Sequence, residues 1–325
     1  MGGDHGVRVT LPSIADFLRA FDDCSVLLVG NEKLIRPFLT DHPAIGSRCS
    51  ILHTEEEVLS SDPISVALRQ KKSSSMRLAI EQVRDGVAQA AVSAGNTGAL
   101  MALSRFLLKT HPGIDRPAII SALPTSSGHC YMLDLGANVD VEADHLLQFA
   151  RMGALVAQLR DNRTRPRVAL LNIGSEDIKG NQLIKSAHQL LMSSDLHYVG
   201  YIEGDGIFRD EADVVVCDGF VGNVALKCSE GVAHLLADRI RFEVSRSPLR
   251  KFLGLLSLPI WRALKKQMDP SLYNGASLVG LTGVVVKSHG GASRQGFLNA
   301  LGVARAEAIH NLPDRIAGCF QPTES

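Results

Sequence analysis

Charge of one sign is missing from this chain: 34 basic and 34 acidic side chains leave a formal net charge of zero. A nucleic-acid binder carries a basic surplus, so that class is disfavoured and no nucleic-acid partner is expected. Aromatic residues are scarce at 5%, with one tryptophan, Trp261. No apolar run reaches the roughly 20 residues of a membrane-spanning helix, and no secretory leader pattern is present. The chain therefore reads as cytoplasmic. Six cysteines are scattered without C-x-x-C spacing, which argues against zinc and against a disulfide framework. Cys24, Cys130 and Cys217 lie in apolar runs and read as small buried residues. The G-x-x-x-x-G-K-[ST] and G-x-G-x-x-G fingerprints are absent, so nucleoside triphosphate and dinucleotide binding lose support. A G-x-S-x-G elbow is absent too, which weakens a serine hydrolase.

What is present is a long chain, 325 residues and 45% hydrophobic, ample for one large α/β domain or two lobes. Ala88–Val92 reads as a buried strand. It breaks at Ala94-Gly-Asn-Thr-Gly98 and resumes as a helix with Leu100, Leu103, Leu107 and Leu108 on one face. Asn96 or Thr97 suits the cap of that helix, leaving first-turn N–H groups at Gly95–Gly98 for an anion. An ordinary βα loop would read the same way.

Helical patterns are expected at Ile14–Phe21, Glu32–Leu39, Ser65–Gln70, Met76–Arg84, Ala143–Arg160, Val224–Val244 and Arg294–His310. Strands are expected at Val26–Gly30, Ser50–His53, Ala118–Leu123, Cys130–Leu135, Arg167–Ile173, Tyr198–Glu203, Asp213–Cys217 and Leu278–Val286. The alternation predicts a doubly wound, mostly parallel sheet in three layers. Polar residues gather just after strands: Asn96/Thr97, Asn138, Asn172/Glu176, Asp218/Asn223 and Lys287/His289. In a parallel sheet these loops would share one carboxyl edge, where ligands bind.

Lys287 and His289 offer a cation and an acid/base two residues apart, although a solvated loop fits equally well. Lys179, beside Gly180 and Asn181, either meets an anion or faces water. His129 and Asp134 match an H-x-x-x-x-D acyltransferase spacing, but an odd separation on one strand sends them to opposite faces, so the match is set aside. Ser247–Pro270 is different in kind. Leu249, Leu253, Leu256, Ile260, Leu264 and Met268 recur near helical spacing beside Trp261, flanked by Arg250, Lys251, Arg262, Lys265 and Lys266. Pro259 would kink this element or split it into a hairpin. It suits an anionic membrane surface or acyl chain; a protruding dimer interface is the equal alternative.

Several pieces, in this order, carry a resemblance: Met1-Gly-Gly-Asp-His-Gly6, Ser93-Ala-Gly-Asn-Thr-Gly-Ala99, Pro112-Gly-Ile-Asp-Arg-Pro117 and Leu133-Asp-Leu-Gly-Ala-Asn138. Leu171-Asn-Ile-Gly174, Lys179-Gly-Asn181, Val216-Cys-Asp-Gly-Phe-Val-Gly-Asn223 and Val286-Lys-Ser-His-Gly290 continue it. Together they resemble the bacterial phosphate acyltransferase family, which makes acyl phosphate from acyl-acyl carrier protein. The resemblance spans nearly the whole chain as a single domain, 1–325. It implies a Rossmann-like α/β/α sandwich with a protruding amphipathic helical hairpin, related to phosphotransacetylases. It also implies a peripherally membrane-associated homodimer that needs no cofactor and feeds a membrane glycerol-3-phosphate acyltransferase.

Family members begin with a strand entering the Met-Gly-Gly-Asp loop, so by this comparison the first strand is missing here. The implied site comprises Lys287, His289 and Asn223 around the reacting groups. Asp4, His5, Gly95, Asn96, Thr97, Gly98, Asn138, Asn172, Lys179 and Asp218 would bind phosphate and substrate. Inorganic phosphate is the nucleophile in the implied reaction, so the protein's task is to place it and stabilise an oxyanion. Two rivals remain at this level: a nicotinamide-linked dehydrogenase on a related fold, and a membrane-docking scaffold without turnover.

Overall fold

The computed structural model describes residues 2–176, 178–261 and 270–320. Among them the strands are β1 Val26–Gly30, β2 Cys49–His53, β3 Ala90–Ser93, β4 Ala118–Pro124, β5 His129–Leu133, β6 Val168–Leu171, β7 Tyr198–Ile202, β8 Val214–Val216, β9 Ala276–Val279 and β10 Val284–Lys287. The helices are α1 Val7–Ala20, α2 Glu32–Asp41, α3 Pro43–Gly46, α4 Ile64–Arg69, α5 Ser75–Arg84, α6 Thr97–Leu108, α7 Ala143–Asp161, α8 Gln182–Met192, α9 Gly219–Ser245, α10 Pro248–Leu256, α11 Arg294–Ile309 and α12 Leu312–Gly318.

Eight strands form one sheet in the order β3-β10-β9-β4-β5-β8-β6-β7, and β1 and β2 pair separately in parallel. Alternating side chains sort the core onto two faces. Val215, Met132, Ile119, Leu278 and Val285 pack with Leu100 and Leu103 of α6, and Ala225 and Leu226 of α9 join them. Val214, Tyr131, Leu133, Ile120 and Val279 pack on the opposite face with Leu146, Phe149 and Val156 of α7. The three-layer, mostly parallel expectation holds.

Two expectations need correction. The apolar run Leu278–Val286 is not one strand but an antiparallel hairpin, β9 and β10, with Val286 opposite Ser277 and Lys287 opposite Ala276. Gly280, at φ +91°, turns the chain between them, a conformation open to glycine and hidden inside a run of β-formers. The sheet is also more mixed in direction than expected. β9 is antiparallel to both β10 and β4, and β4 is antiparallel to β5. β3, β10 and β4 therefore run one way, and β5, β8, β6 and β7 the other. The loops expected on one carboxyl edge leave from opposite ends of the sheet.

The α10 region is also redrawn. α9 extends 27 residues and turns directly into α10, whose Gly254 lies against Val244. The hairpin partner of α10 is thus the end of α9. Ser257 closes α10, and Pro259 sits in the first turn of the next helical segment, where proline is tolerated. Leu264 and the stretch around it lie outside the described residues. Cys130 and Cys217 are buried as expected, whereas Cys24 is only half-buried.

Asp213, 6% exposed at the entrance to β8, aligns β6 with β8. Its carboxylate accepts from the Arg163 side chain (2.5 Å), the Arg167 guanidinium (3.0 Å) and the Arg167 backbone N–H (2.7 Å). Burial alone would raise its pKa, but these hydrogen bonds and charges outweigh it and hold it below the usual carboxylate value. Its contribution is present above the unfolded carboxylate pKa and is lost as pH falls through the folded one. Asp213→Asn is expected to cost about 1–3 kcal/mol at neutral pH and to flatten the acid limb of the stability profile, read by urea unfolding from neutral to acid pH.

Candidate active site

Lys287 ends β10 and shares the face of Val285, the face covered by α6 and the start of α9. It is 8% exposed. Its ammonium donates to the Ser288 carbonyl. Burial pushes its pKa down to about 8; the nearby Asp4 carboxylate works against that, and the Lys227 ammonium on α9 adds to it. Among the described residues it has no carboxylate within salt-bridge distance. A buried cation held this way is a prepared counter-charge.

Around it three loops meet. The Asp4 N–H donates to the Gly290 carbonyl (2.8 Å). Gly3, at φ +77°, slots between the β3–α6 and β10–α11 loops; a Cβ there would lie 2.9 Å from that of Ala94 and 3.0 Å from the Gly290 oxygen. Only glycine allows this approach. His5 is exposed beside Asp4. The N-terminal loop, the Gly95–Gly98 loop and the Lys287–Gly291 loop thus form one cluster.

Asn96 caps α6 as anticipated. Its Oδ1 accepts from Ala99 N–H (3.0 Å) and its Nδ2 donates to the Ser60 carbonyl (3.0 Å). With its side chain occupied, the groups left for an anion are the N–H donors of Thr97 and Gly98, at the positive end of the helix. Gly95 is held close by the Met76 methyl, 2.6 Å from where a Cβ would stand. His289 is exposed and its Nδ1 accepts from Gly291 N–H (3.1 Å). This bond assigns the neutral ring's proton to Nε2, leaving a donor for an incoming group.

The remaining expected site residues leave from the other end of the sheet, a correction that follows from the antiparallel β4–β5 pair. Asn138 is buried, and its Nδ2 donates to the Pro117 carbonyl (2.8 Å) and to Asp134 Oδ2 (3.0 Å). It pins the entry to β4 rather than holding an anion. Asp218 is the cap of α9, accepting from Val221 N–H (2.9 Å), where its charge complements the helix dipole. Asn172 is buried, its Oδ1 accepts from Ile173 N–H (2.9 Å), and its Nδ2 has no partner among the described residues. Lys179 is exposed, its stem lying over Gly174. Asn223 is exposed beside Gly136. It is one turn before Lys227 and shares its helix face, so α9 connects the two ends of the sheet. The His129–Asp134 match dissolves as expected: His129 pairs with Asp161 (3.0 Å), while Asp134 accepts four hydrogen bonds at the other end of β5.

Two residues of this neighbourhood escaped the sequence reading. Lys227 was legible only as the position four after Asn223 on a helix. Asn274 precedes β9, and its one signal was the turn-forming pair Asn274-Gly275.

Fold and cluster together define a three-layer α/β protein that presents a capped helix N-terminus and a buried lysine to one shared space. The fold is that of solved phosphotransacetylases. The Streptococcus pyogenes phosphotransacetylase matches with a TM-score of 0.62 at 19% identity over 93% of this chain and 91% of that one. The EutD phosphotransacetylase from Staphylococcus aureus matches with a TM-score of 0.61 at 16% identity over 94% and 92%. Residues 1–315 match the family model described as a fatty acid synthesis protein. The phosphate acyltransferase of Alcanivorax borkumensis is 58% identical over 323 residues, 98% of this chain and 94% of that protein. That of Hydrogenovibrio crunogenus is 53% identical over 318 residues, with 98% and 94% coverage. The chain belongs to the phosphate acyltransferase family.

Proposed function

We propose that this chain transfers a fatty acyl group from acyl-acyl carrier protein to inorganic phosphate, giving acyl phosphate for phospholipid synthesis. The observation that carries this reading is identity of 58% across nearly the full length of a phosphate acyltransferase. The cluster around Lys287 supplies a chemistry to go with it. Phosphate sits against the Thr97 and Gly98 N–H donors with Lys287 as counter-charge. A phosphate oxygen attacks the thioester carbonyl carbon; the C–S bond breaks, and the thiolate leaves with a proton delivered from His289 Nε2 or water. Asp4, next to the lysine, keeps its ammonium charged as the anion enters. Asn223 and Lys227 line the approach along α9.

The chain acts as a single domain. Leu249, Leu253, Leu256 and Ile260 are exposed on α10 and the segment after it, with Val232, Leu235 and Leu236 exposed on α9. This uncovered apolar surface supports a role in pairing with a second copy, in lying on a membrane surface beside half-buried Trp261, or in both. No helix among the described residues is long and apolar enough to cross a membrane, so attachment would be peripheral, on the cytoplasmic side, next to a membrane glycerol-3-phosphate acyltransferase that consumes the product. The test is thiol release from palmitoyl-acyl carrier protein with and without phosphate, trapping acyl phosphate with hydroxylamine. Phosphate-dependent release with a hydroxamate product is expected. Release without phosphate dependence, or none from folded protein, would overturn the reading.

A further inference from the structure

The pairing of β9 with β10 stops at Lys287 opposite Ala276, one residue short of the Ser288–His289 segment that carries the site. Asn274 continues the clamp with its side chain. Its Oδ1 accepts from the His289 N–H (2.8 Å), and its Nδ2 donates to Ser288 Oγ (2.8 Å) and to the Gly296 carbonyl in the first turn of α11 (2.7 Å). One amide group thereby joins three chain segments. Ser288 is itself fully buried, and its carbonyl is the acceptor for the Lys287 ammonium. The peptide that orients Lys287 is thus the peptide Asn274 holds on both sides. We infer that Asn274 is a positioning residue, fixing the Ser288–His289 backbone so that the Lys287 ammonium and the His289 ring keep their places for the transferred group.

The inference rests on the proposed role of Lys287. Removing the amide leaves the His289 N–H, the Ser288 hydroxyl and the Gly296 carbonyl to find new partners, and freedom at this peptide displaces both functional groups together. Asn274→Asp keeps an acceptor for the His289 N–H and for the Ser288 hydroxyl but loses the donor to Gly296. It also adds a negative charge near Lys287, which already faces Asp4 from the N-terminal loop and Lys227 from α9.

The experiment measures kcat, the KM values for phosphate and for acyl-acyl carrier protein and the pH profile of thiol release for the wild type, N274A, N274D and K287M, each checked by thermal unfolding. N274A is expected to lose about 10- to 100-fold in kcat with the KM for acyl-acyl carrier protein unchanged. N274D is expected to recover part of that loss and to move the basic limb upward. Equal activity of N274A and wild type overturns the positioning role, as does equal impairment of N274A and N274D with an unmoved limb, the pattern of a merely structural residue. Should N274A fail to fold, the limb of N274D decides alone. Normal turnover by K287M would overturn the reading of Lys287 and this inference with it, whereas loss in K287M with a normal N274A and N274D overturns the inference only.

Discussion

Lys287→Met is expected to lower phosphate-dependent thiol release about 100- to 1000-fold, the usual effect of removing one preorganised electrostatic group from a reacting centre. The same substitution is expected to raise the melting temperature by about 2 °C or more. The two effects have one cause. The lysine stands nearly buried at the end of β10, and burial depresses its pKa to about 8, below the value it regains on unfolding. Between those values the unfolded chain binds more protons than the folded one, so this group's contribution to stability rises with pH. Catalysis moves in the opposite direction, because an uncharged amine no longer offsets the phosphate charge. Turnover should fall as pH rises through about 8 while the fold gains stability. Methionine fills similar volume without the charge, so it holds the stability gain at every pH and the activity at none. Paired pH profiles of turnover and unfolding for wild type and K287M check this. Parallel rather than opposed pH trends in the wild type would refute it.

Much of this arrangement was legible in the residues themselves, for reasons that differ by element. The β3–α6 turn could be read because Asn96 must cap a helix whose apolar face repeats at Leu100, Leu103 and Leu107, and it does so. The helices at Glu32, Met76 and Ala143 followed from periodicity in the same way. Two features of the sheet were misread. The largely apolar run from Leu278 to Val286 has the pattern of one buried strand, although Gly280, Thr282 and Gly283 interrupt it and Gly280 makes the turn. The two antiparallel junctions of β9 cancel, and the reversal comes at the antiparallel β4–β5 pair, so five loops that looked like neighbours divide between two ends. Side-chain duty was hidden as well. Asn138 and Asp218 are the right types for anion or substrate contact, but the first is consumed by Pro117 and Asp134 and the second by a helix cap. Asn274 had the opposite fate, an inconspicuous turn residue that folding brings to the peptide after Lys287.

Gly222→Ala is expected to be the most damaging single-methyl change in the chain, and Gly302→Ala its opposite. Both glycines lie inside helices, where alanine is intrinsically favoured by about 1 kcal/mol. At Gly302 on α11 an added Cβ meets nothing within 4 Å, so that preference should be realised as a gain of about 0.5–1 kcal/mol. At Gly222, in the first turn of α9, the added carbon would stand 1.9 Å from the Asp134 carbonyl oxygen and 2.9 Å from Cys217 Sγ. Neither neighbour can yield. The Asp134 side chain accepts from the backbone N–H groups of Ile119, Ala137 and Asn138. Cys217 is buried where its N–H donates to the Leu133 carbonyl (2.8 Å). The helix itself must therefore lift off the sheet. Its cap at Asp218, the bond from Gly219 N–H to the Asn138 carbonyl (2.8 Å) and the packing of Ala225 and Leu226 would go with it. Overpacking against rigid backbone costs about 1–3 kcal/mol and can exceed that. The displaced helix also carries Lys227 away from Lys287 and Asn223 away from Gly136, so activity should fall further than stability alone accounts for. Thermal unfolding and turnover of the two variants check this together. A G222A protein with wild-type melting and rate would mean that α9 does not approach the end of β5 as closely as described.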